Sequence, residues 1–160
     1  MDKRLIVLFL GCLSYALAFA QDPIKDLLDK GDRFYTKKDF DKALEQYQKA
    51  YTIDPNNAAA NYKVGMAYLS GALKSKSIPY FEKALALNPK VDEDINFHLG
   101  VAYQYATEYL KARDQFQIFR GKNKKLAPIA EHKITECIFA DSMKNHSWTV
   151  KITNLGHMVN

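Results

Sequence analysis

From Pro23 onward, apolar residues return every three to four positions in stretches of roughly a dozen, each closed by a short polar or proline-bearing turn. That period belongs to amphipathic helices and not to strands. It predicts helices over 24–37, 40–53, 57–71, 75–87, 92–106, 109–122 and 126–143. Pro79 fits the fourth of these only in its first turn, so that helix is expected to begin nearer Ser77. In the last, Pro128 stands at the start, and Ile129, Ile134 and Ile138 with Ala130, Cys137 and Ala140 draw one apolar face. The period changes at the end of the chain. Trp148-Thr149-Val150-Lys151-Ile152 alternates as a β-strand does, and Asn154-Leu155-Gly156 reads as a turn. A lone strand has nothing to pair with, so either the native chain runs past residue 160 or this tail binds a partner.

The helices repeat in pairs. Gly31, Gly65 and Gly100 lie 34 and then 35 residues apart, and three residues after each comes an aromatic, Phe34, Tyr68 and Tyr103. Twelve residues after each glycine stands a small residue, Ala43, Ser77 and Ala112, and four further on an aromatic, Tyr47, Phe81 and Phe116. Ala50 and Ala84 follow, replaced by Phe119 in the third unit; Pro55 and Pro89 close the first two, with Lys124 in the third. Each type has a physical reason. A glycine in the middle of the first helix lets the second helix pack close, because no side chain intervenes. Small, aromatic and small residues at spacings of four and three form one narrow apolar stripe on the second helix. A proline past the helix end stops it. One such pair cannot bury its stripe alone, so neighbours must stack.

These residues and spacings resemble the tetratricopeptide-repeat (TPR) family across residues 24–123. The resemblance implies an all-α superhelix of three helix pairs, with units over 24–57, 58–92 and 93–123 of a region spanning 21–123. A capping helix over 124–145 is expected to cover the open end, and an extended tail over 146–160 to follow, as the possible start of a β domain. The third unit's departures suit a repeat whose outer face meets something other than another TPR.

The first twenty residues stand apart. Met1-Asp2-Lys3-Arg4 is basic, Leu5 to Leu10 is apolar, and Ala18-Phe19-Ala20 before Gln21 fits a small-x-small cleavage site. A cleaved signal peptide over 1–20 is expected, which leaves no transmembrane span. A retained anchor, and lipidation at Cys12 after Leu10-Gly11, are the alternatives. Removing Asp2, Lys3 and Arg4 lowers the formal charge from +5 to +4, and the excess is dispersed. Lys122, Lys124 and Lys125 alone form a tight basic knot, which reads as a solvated helix end; a nucleic-acid partner is not expected. After cleavage Cys137 is the one cysteine left, so no internal disulfide can form. Packing must hold the domain.

No catalytic constellation is legible. There is no His-Glu-x-x-His run, no phosphate-cradling glycine loop and no serine in an elbow context. His98, His132, His146 and His157 do not pair at metal-ligand spacing and read as surface residues. Asp92-Glu93-Asp94 sits at a helix start, where carboxylates favour the positive dipole end. The reading is of a protein that is not an enzyme and that needs no metal or cofactor.

In a TPR stack the first helix of each pair lines the concave side. Counting from each glycine, the resemblance places Leu28, Asp32 and Tyr35 of the first unit in the groove. It adds Tyr62, Met66 and Leu69 of the second, and Phe97, Val101, Gln104 and Tyr105 of the third. Asp29, Lys63 and His98 lie beside them. The groove is therefore expected to be apolar and aromatic, suited to an extended or helical partner segment. The competing reading is that several of these rings pack inward. Asp32 and Met66 stand where the family's carboxylate clamp needs asparagines, so capture of a free C-terminal carboxylate is not expected.

A second resemblance rests on the leader, the three units, Ile134-Thr135-Glu136-Cys137, and Val150-Lys151-Ile152-Thr153-Asn154-Leu155-Gly156 followed by Val159-Asn160. Together these are similar to the opening of OmpA-family envelope proteins of Bacteroidota, the PorE-like group of the type 9 secretion system among them. There the TPR region leads to a β-propeller and a peptidoglycan-binding domain. The resemblance implies an exported, periplasmic scaffold that docks an envelope or outer-membrane protein segment, with peptidoglycan association through domains outside these residues. A self-assembling oligomerisation module and a glycan- or peptidoglycan-binding accessory protein are the rival readings.

Overall fold

The computed structural model describes residues 22–146. Within them are seven α-helices and no strand: α1 (Pro23–Thr36), α2 (Phe40–Ile53), α3 (Ala58–Ser70), α4 (Ile78–Leu87), α5 (Ile95–Tyr105), α6 (Tyr109–Lys122) and α7 (Ala127–Asn145). The leader with Cys12, and the strand and turn expected over 148–156, lie outside the described residues. Two helices start three residues after their predicted positions, α4 at Ile78 and α5 at Ile95. A 3-10 turn over Lys74–Ser77 precedes α4, with Pro79 in its first turn. Proline lacks an N–H to give, so a first turn is the place where it costs nothing.

Polar residues at the helix starts supply the missing backbone partners. Asp22 accepts from Ile24 N at 3.0 Å, Asp39 from Lys42 N at 3.3 Å and Asn57 from Ala60 N at 2.9 Å. Asp94 occupies the same place before α5 but caps through no side-chain bond; Asp92 Oδ1 instead accepts from Asp94 N at 2.9 Å. The turns inside the first and third pairs are copies of each other. Lys38 and Thr107, each seven residues after its glycine, take φ of 61° and 59°. Asp39 N and Glu108 N then reach back to Phe34 O and Tyr103 O, both at 3.0 Å. Threonine resists that left-handed backbone, so the repeat geometry overrides local preference there.

The glycines work differently from expectation. What they admit is a ring, not a neighbouring backbone. A Cβ on Gly65 would stand 2.7 Å from Phe81 Cδ1 and Cε1, and one on Gly100 2.7 Å from Phe116 Cε1; at Gly31 the ring is that of Tyr47. Each first helix thus carries a notch into which its own second helix inserts an aromatic that is wholly buried or nearly so. In the second and third units the aromatics three residues after the glycines reach the preceding unit. Gln48 Nε2 donates to Tyr68 Oη at 3.1 Å, and Tyr103 Oη donates to Glu82. The first kind of ring closes a pair and the second joins pairs. Small residues Ala43, Ala50, Ala84 and Ala112 are fully buried between them, as is Ser77, whose hydroxyl donates to Lys74 O at 2.6 Å.

Phe119 is not turned outward toward a foreign surface. It is buried, with its ring 5.2 Å from that of Phe97 in the same unit. The helix that follows continues the stack. Ala130, Ile134 and Cys137 of α7 are buried at the offsets that Ala60, Val64 and Ala67 hold around Gly65, which puts Thr135 in the glycine's place. α7 is by register the first helix of a fourth pair, packed on α6. Only part of its expected apolar face is used, since Ile129 and Ile138 are 51% and 54% exposed. The reason is geometric: the second helix of such a pair would have to cover them.

Candidate protein-interaction groove

One side of the stack consists of first helices laid next to each other, and polar contacts step from each to the next. Tyr35 Oη and Ser70 Oγ meet at 2.7 Å and Lys63 Nζ lies 2.8 Å from Asp32 Oδ1, both joining α1 to α3. Tyr62 Oη and His98 Nδ1 lie 3.4 Å apart between α3 and α5. Gln104 Nε2 donates to Glu136 Oε2, also at 3.4 Å, between α5 and α7. These contacts link four of the side chains expected in a groove, Asp32, Tyr35, Tyr62 and Gln104, across α1, α3, α5 and α7.

Their depth differs from one to the next. Tyr105 is 58% exposed and Tyr62 only 9%. Leu28, Asp32, Tyr35, Met66, Leu69, Phe97, Val101 and Gln104 are half-buried. Two of the aromatics spend their rings inward. Tyr62 lies 5.9 Å from Phe81, and Phe97 lies 5.4 Å from Phe116. They form the floor of the groove and are not anchors reaching into it. Met66, Leu69 and Val101 lie against the same core with a face still open, and Tyr105 stands above them.

Asp32 is already engaged. Tyr47 Oη donates to it at 2.6 Å, while Lys63 approaches both of its oxygens. Burial and the neighbouring carboxylate push the Tyr47 phenol far above its ordinary value, so it stays a donor. The ion pair itself is partly exposed and adds little stability beyond fixing the geometry. His98 corrects the surface reading. It is half-buried, 6.1 Å from Tyr62 and 6.2 Å from Phe81, ring centre to ring centre. Burial pushes its imidazole below the usual range, with Asp92 and Asp94 pulling part of the way back.

Two groove residues escaped the sequence reading. Lys74, in the 3-10 turn, donates to Leu69 O at 2.9 Å and holds its ammonium 5.1 Å from the centre of the Tyr105 ring. No period marks a residue in a turn, so nothing in the sequence pointed to it. Glu136, paired with Lys133 at 2.7 Å, was reachable by extending the 35-residue step once more past Gly100. Among the described residues no cluster of three or more metal-ligating side chains is present, and no helix is long and apolar enough to cross a membrane. A cleft of about 800 Å³ lies between residues 89–93 and 122–125, and four lysines line it together with Asp92 and Glu93.

Comparison with known proteins agrees with the repeat register. A family model described as TPR repeat matches residues 31–70, and a second, described as tetratricopeptide repeat, matches 58–91. Tetratricopeptide repeat protein 21A of Mus musculus is 34% identical over 82 residues, 51% of this chain but 6% of that protein's length. The crystal structure of MamA superposes with a TM-score of 0.62 at 30% identity, over 72% of this chain and 66% of the other. The second TPR domain of the human RPAP3 protein, solved in complex with HSP70 peptide SGPTIEEVD, gives 0.59 at 20% identity, over 72% and 92%. With the glycine notches, the paired helices and the family models in register, residues 31–91 are tetratricopeptide repeats.

Proposed function

We propose that this chain is a non-catalytic scaffold of the cell envelope whose concave groove holds an apolar segment of a partner protein. The observation that carries the reading is the row Met66, Leu69, Val101 and Tyr105, apolar side chains on neighbouring helices that keep a face open to solvent. A segment laid across α3 and α5 would place large apolar side chains against that row, with Lys74 and Tyr105 gripping its edge. Use of the same fold by RPAP3 to hold a peptide supports groove binding. The envelope setting rests on the basic-apolar-Ala18-Phe19-Ala20 start and on the likeness of residues 150–160 to PorE-like envelope proteins, which points to an outer-membrane secretion assembly.

The test is a panel of labelled peptides carrying two large apolar side chains, titrated against the chain and its variants by anisotropy. Tyr105→Ala is expected to weaken binding about tenfold, the loss of one aromatic anchor at ~1–2 kcal/mol. Tyr80→Ala, between second helices, is expected to leave it unchanged. The opposite ranking would refute the groove. The export reading is checked separately by the N-terminal residue of the chain recovered from the envelope fraction, expected to be Gln21; a chain retained in the cytoplasm with Met1 intact would end it.

A further inference from the structure

Two lysines from different parts of the chain converge on the C-terminal end of α5. Lys74, in the 3-10 turn after α3, donates to Leu69 O at 2.9 Å and lies 5.1 Å from the centre of the Tyr105 ring, on the last residue of α5. Lys144, near the end of α7, donates to Thr107 O at 3.0 Å and lies 6.0 Å from the Tyr109 ring centre. Among the described residues neither ammonium has a carboxylate within ion-pair distance. The acids closest to them in sequence are engaged elsewhere. Glu108 pairs with Lys111 at 2.6 Å and Glu136 with Lys133 at 2.7 Å, and Asp141 accepts from Asn145 Nδ2 at 3.1 Å. A carbonyl takes one of an ammonium's three N–H groups, and a helix end offsets only about half a unit charge. Both cations therefore keep donors and charge to spare.

The surface around them is apolar. Tyr105 is 58% exposed, Phe139 66% and Met143 41%. Phe139 follows Gln104 by 35 residues, as Gln104 follows Leu69, so by register it holds the groove position of α7. Phe139, Ala140 and Met143 line a cleft of about 460 Å³ together with Thr107, Tyr109 and Lys144.

We propose that the segment held by this protein is acidic as well as apolar. It crosses the C-terminal end of α5, seats one large apolar side chain in the cleft beside Phe139 and another against Tyr105, and brings side-chain carboxylates to Lys144 and Lys74. This rests on the groove reading and adds the partner's charge to it. Each ammonium is already anchored on a carbonyl beside a ring, so a carboxylate that meets it orders little more. Apolar side chains seated next to the two contacts exclude water from them, which strengthens the attraction. A basic segment would meet two like charges at the same place, and a neutral one would cover both cations without a partner.

The test makes each labelled peptide in three forms, with glutamate, glutamine or lysine on both sides of its apolar pair and an amidated C-terminus. The glutamate form is expected to bind about tenfold more tightly than the glutamine form, about threefold for each ion pair, and the lysine form most weakly. The gap should narrow as salt rises from about 0.05 to about 0.5 M. Lys74→Gln and Lys144→Gln should each weaken the glutamate form about threefold, leave the glutamine form unchanged and keep the helical circular dichroism. Phe139→Ala should weaken both forms alike. Equal binding of the glutamate and glutamine forms, with the Tyr105→Ala loss retained, would overturn the acidic partner and leave the groove standing. A glutamate preference that survives both lysine substitutions would overturn it as well. Failure of every peptide to bind would overturn the groove and this inference together.

Discussion

Gly65→Ala adds one methyl group at the centre of the stack, and the structure fixes what it meets. The new carbon would lie 2.7 Å from two atoms of Phe81 and 3.1 Å from a third. The ring cannot step aside, because it is fully buried, with Tyr62 at 5.9 Å on one side and His98 at 6.2 Å on another. Overpacking of this kind costs ~1–3 kcal/mol. Alanine recovers up to ~1 kcal/mol of that through its better helix propensity. The net expectation is a loss of ~1–2 kcal/mol, read as a lower urea midpoint with an unchanged slope. Gly121→Ala is the matched control. A Cβ there meets nothing within 4 Å, so propensity alone acts and stability should rise by ~0.5 kcal/mol. Identical substitutions thus move stability in opposite directions. A Gly65→Ala protein as stable as the unmodified one would refute the notch. The coupling can be checked too: Phe81→Leu should cost less in the Gly65→Ala background than alone, because the smaller side chain relieves the clash.

His98 gives a pH dependence with a definite sign. Its folded form resists protonation because the ring is buried, so below about 6.5 the unfolded chain binds more protons than the folded one. The contribution is complete above that value and is lost as pH falls through the lowered folded value. Subtracting the urea midpoints of His98→Gln from those of the unmodified chain should therefore leave a difference that shrinks on acidification from pH ~6.5; a flat difference would refute it. Cys137 is 1% exposed and burial pushes its thiol up. In a Cys12→Ser background, a thiol reagent should react with it only at the rate of global opening, and rapid labelling of the native chain would show that α7 detaches from α6.

The sequence carried the fold well because the repeat is written in residues whose size matters. Gly65 and Phe81 are unusual choices for a helix interior and a helix surface, and they recur in register because each makes room for the other. One helix start was legible for the same reason, since Pro79 is tolerated only in a first turn. The groove was half legible. Periodicity says which side chains share a face but not how far a neighbouring helix leans over them, so Tyr62 and Phe97 were drawn as groove lining when their rings turn inward. His98 was misplaced by the same blindness, being a polar residue on a helix whose neighbours happen to close around it. Lys74 was invisible because its position depends on a 3-10 turn that no apolar period records.

Asp32 decides what sort of ligand this groove can prefer. A clamp for a terminal carboxylate needs uncommitted donors, and here the matching position holds an acid. That acid is not free to repel or attract at range, because Tyr47 donates to it and Lys63 lies 2.8 Å away. The pair is internally neutral, as are Lys133 and Glu136 at the other end of the same surface. Charges that cancel within a few ångströms of each other leave little field to steer a partner across a Debye length of ~8 Å. The proposed groove binding then draws its selectivity from short-range fit, from which apolar side chains seat against Met66, Leu69, Val101 and Tyr105, with the Lys74 ammonium at its edge. On that proposal partners are distinguished by the spacing of their large apolar residues.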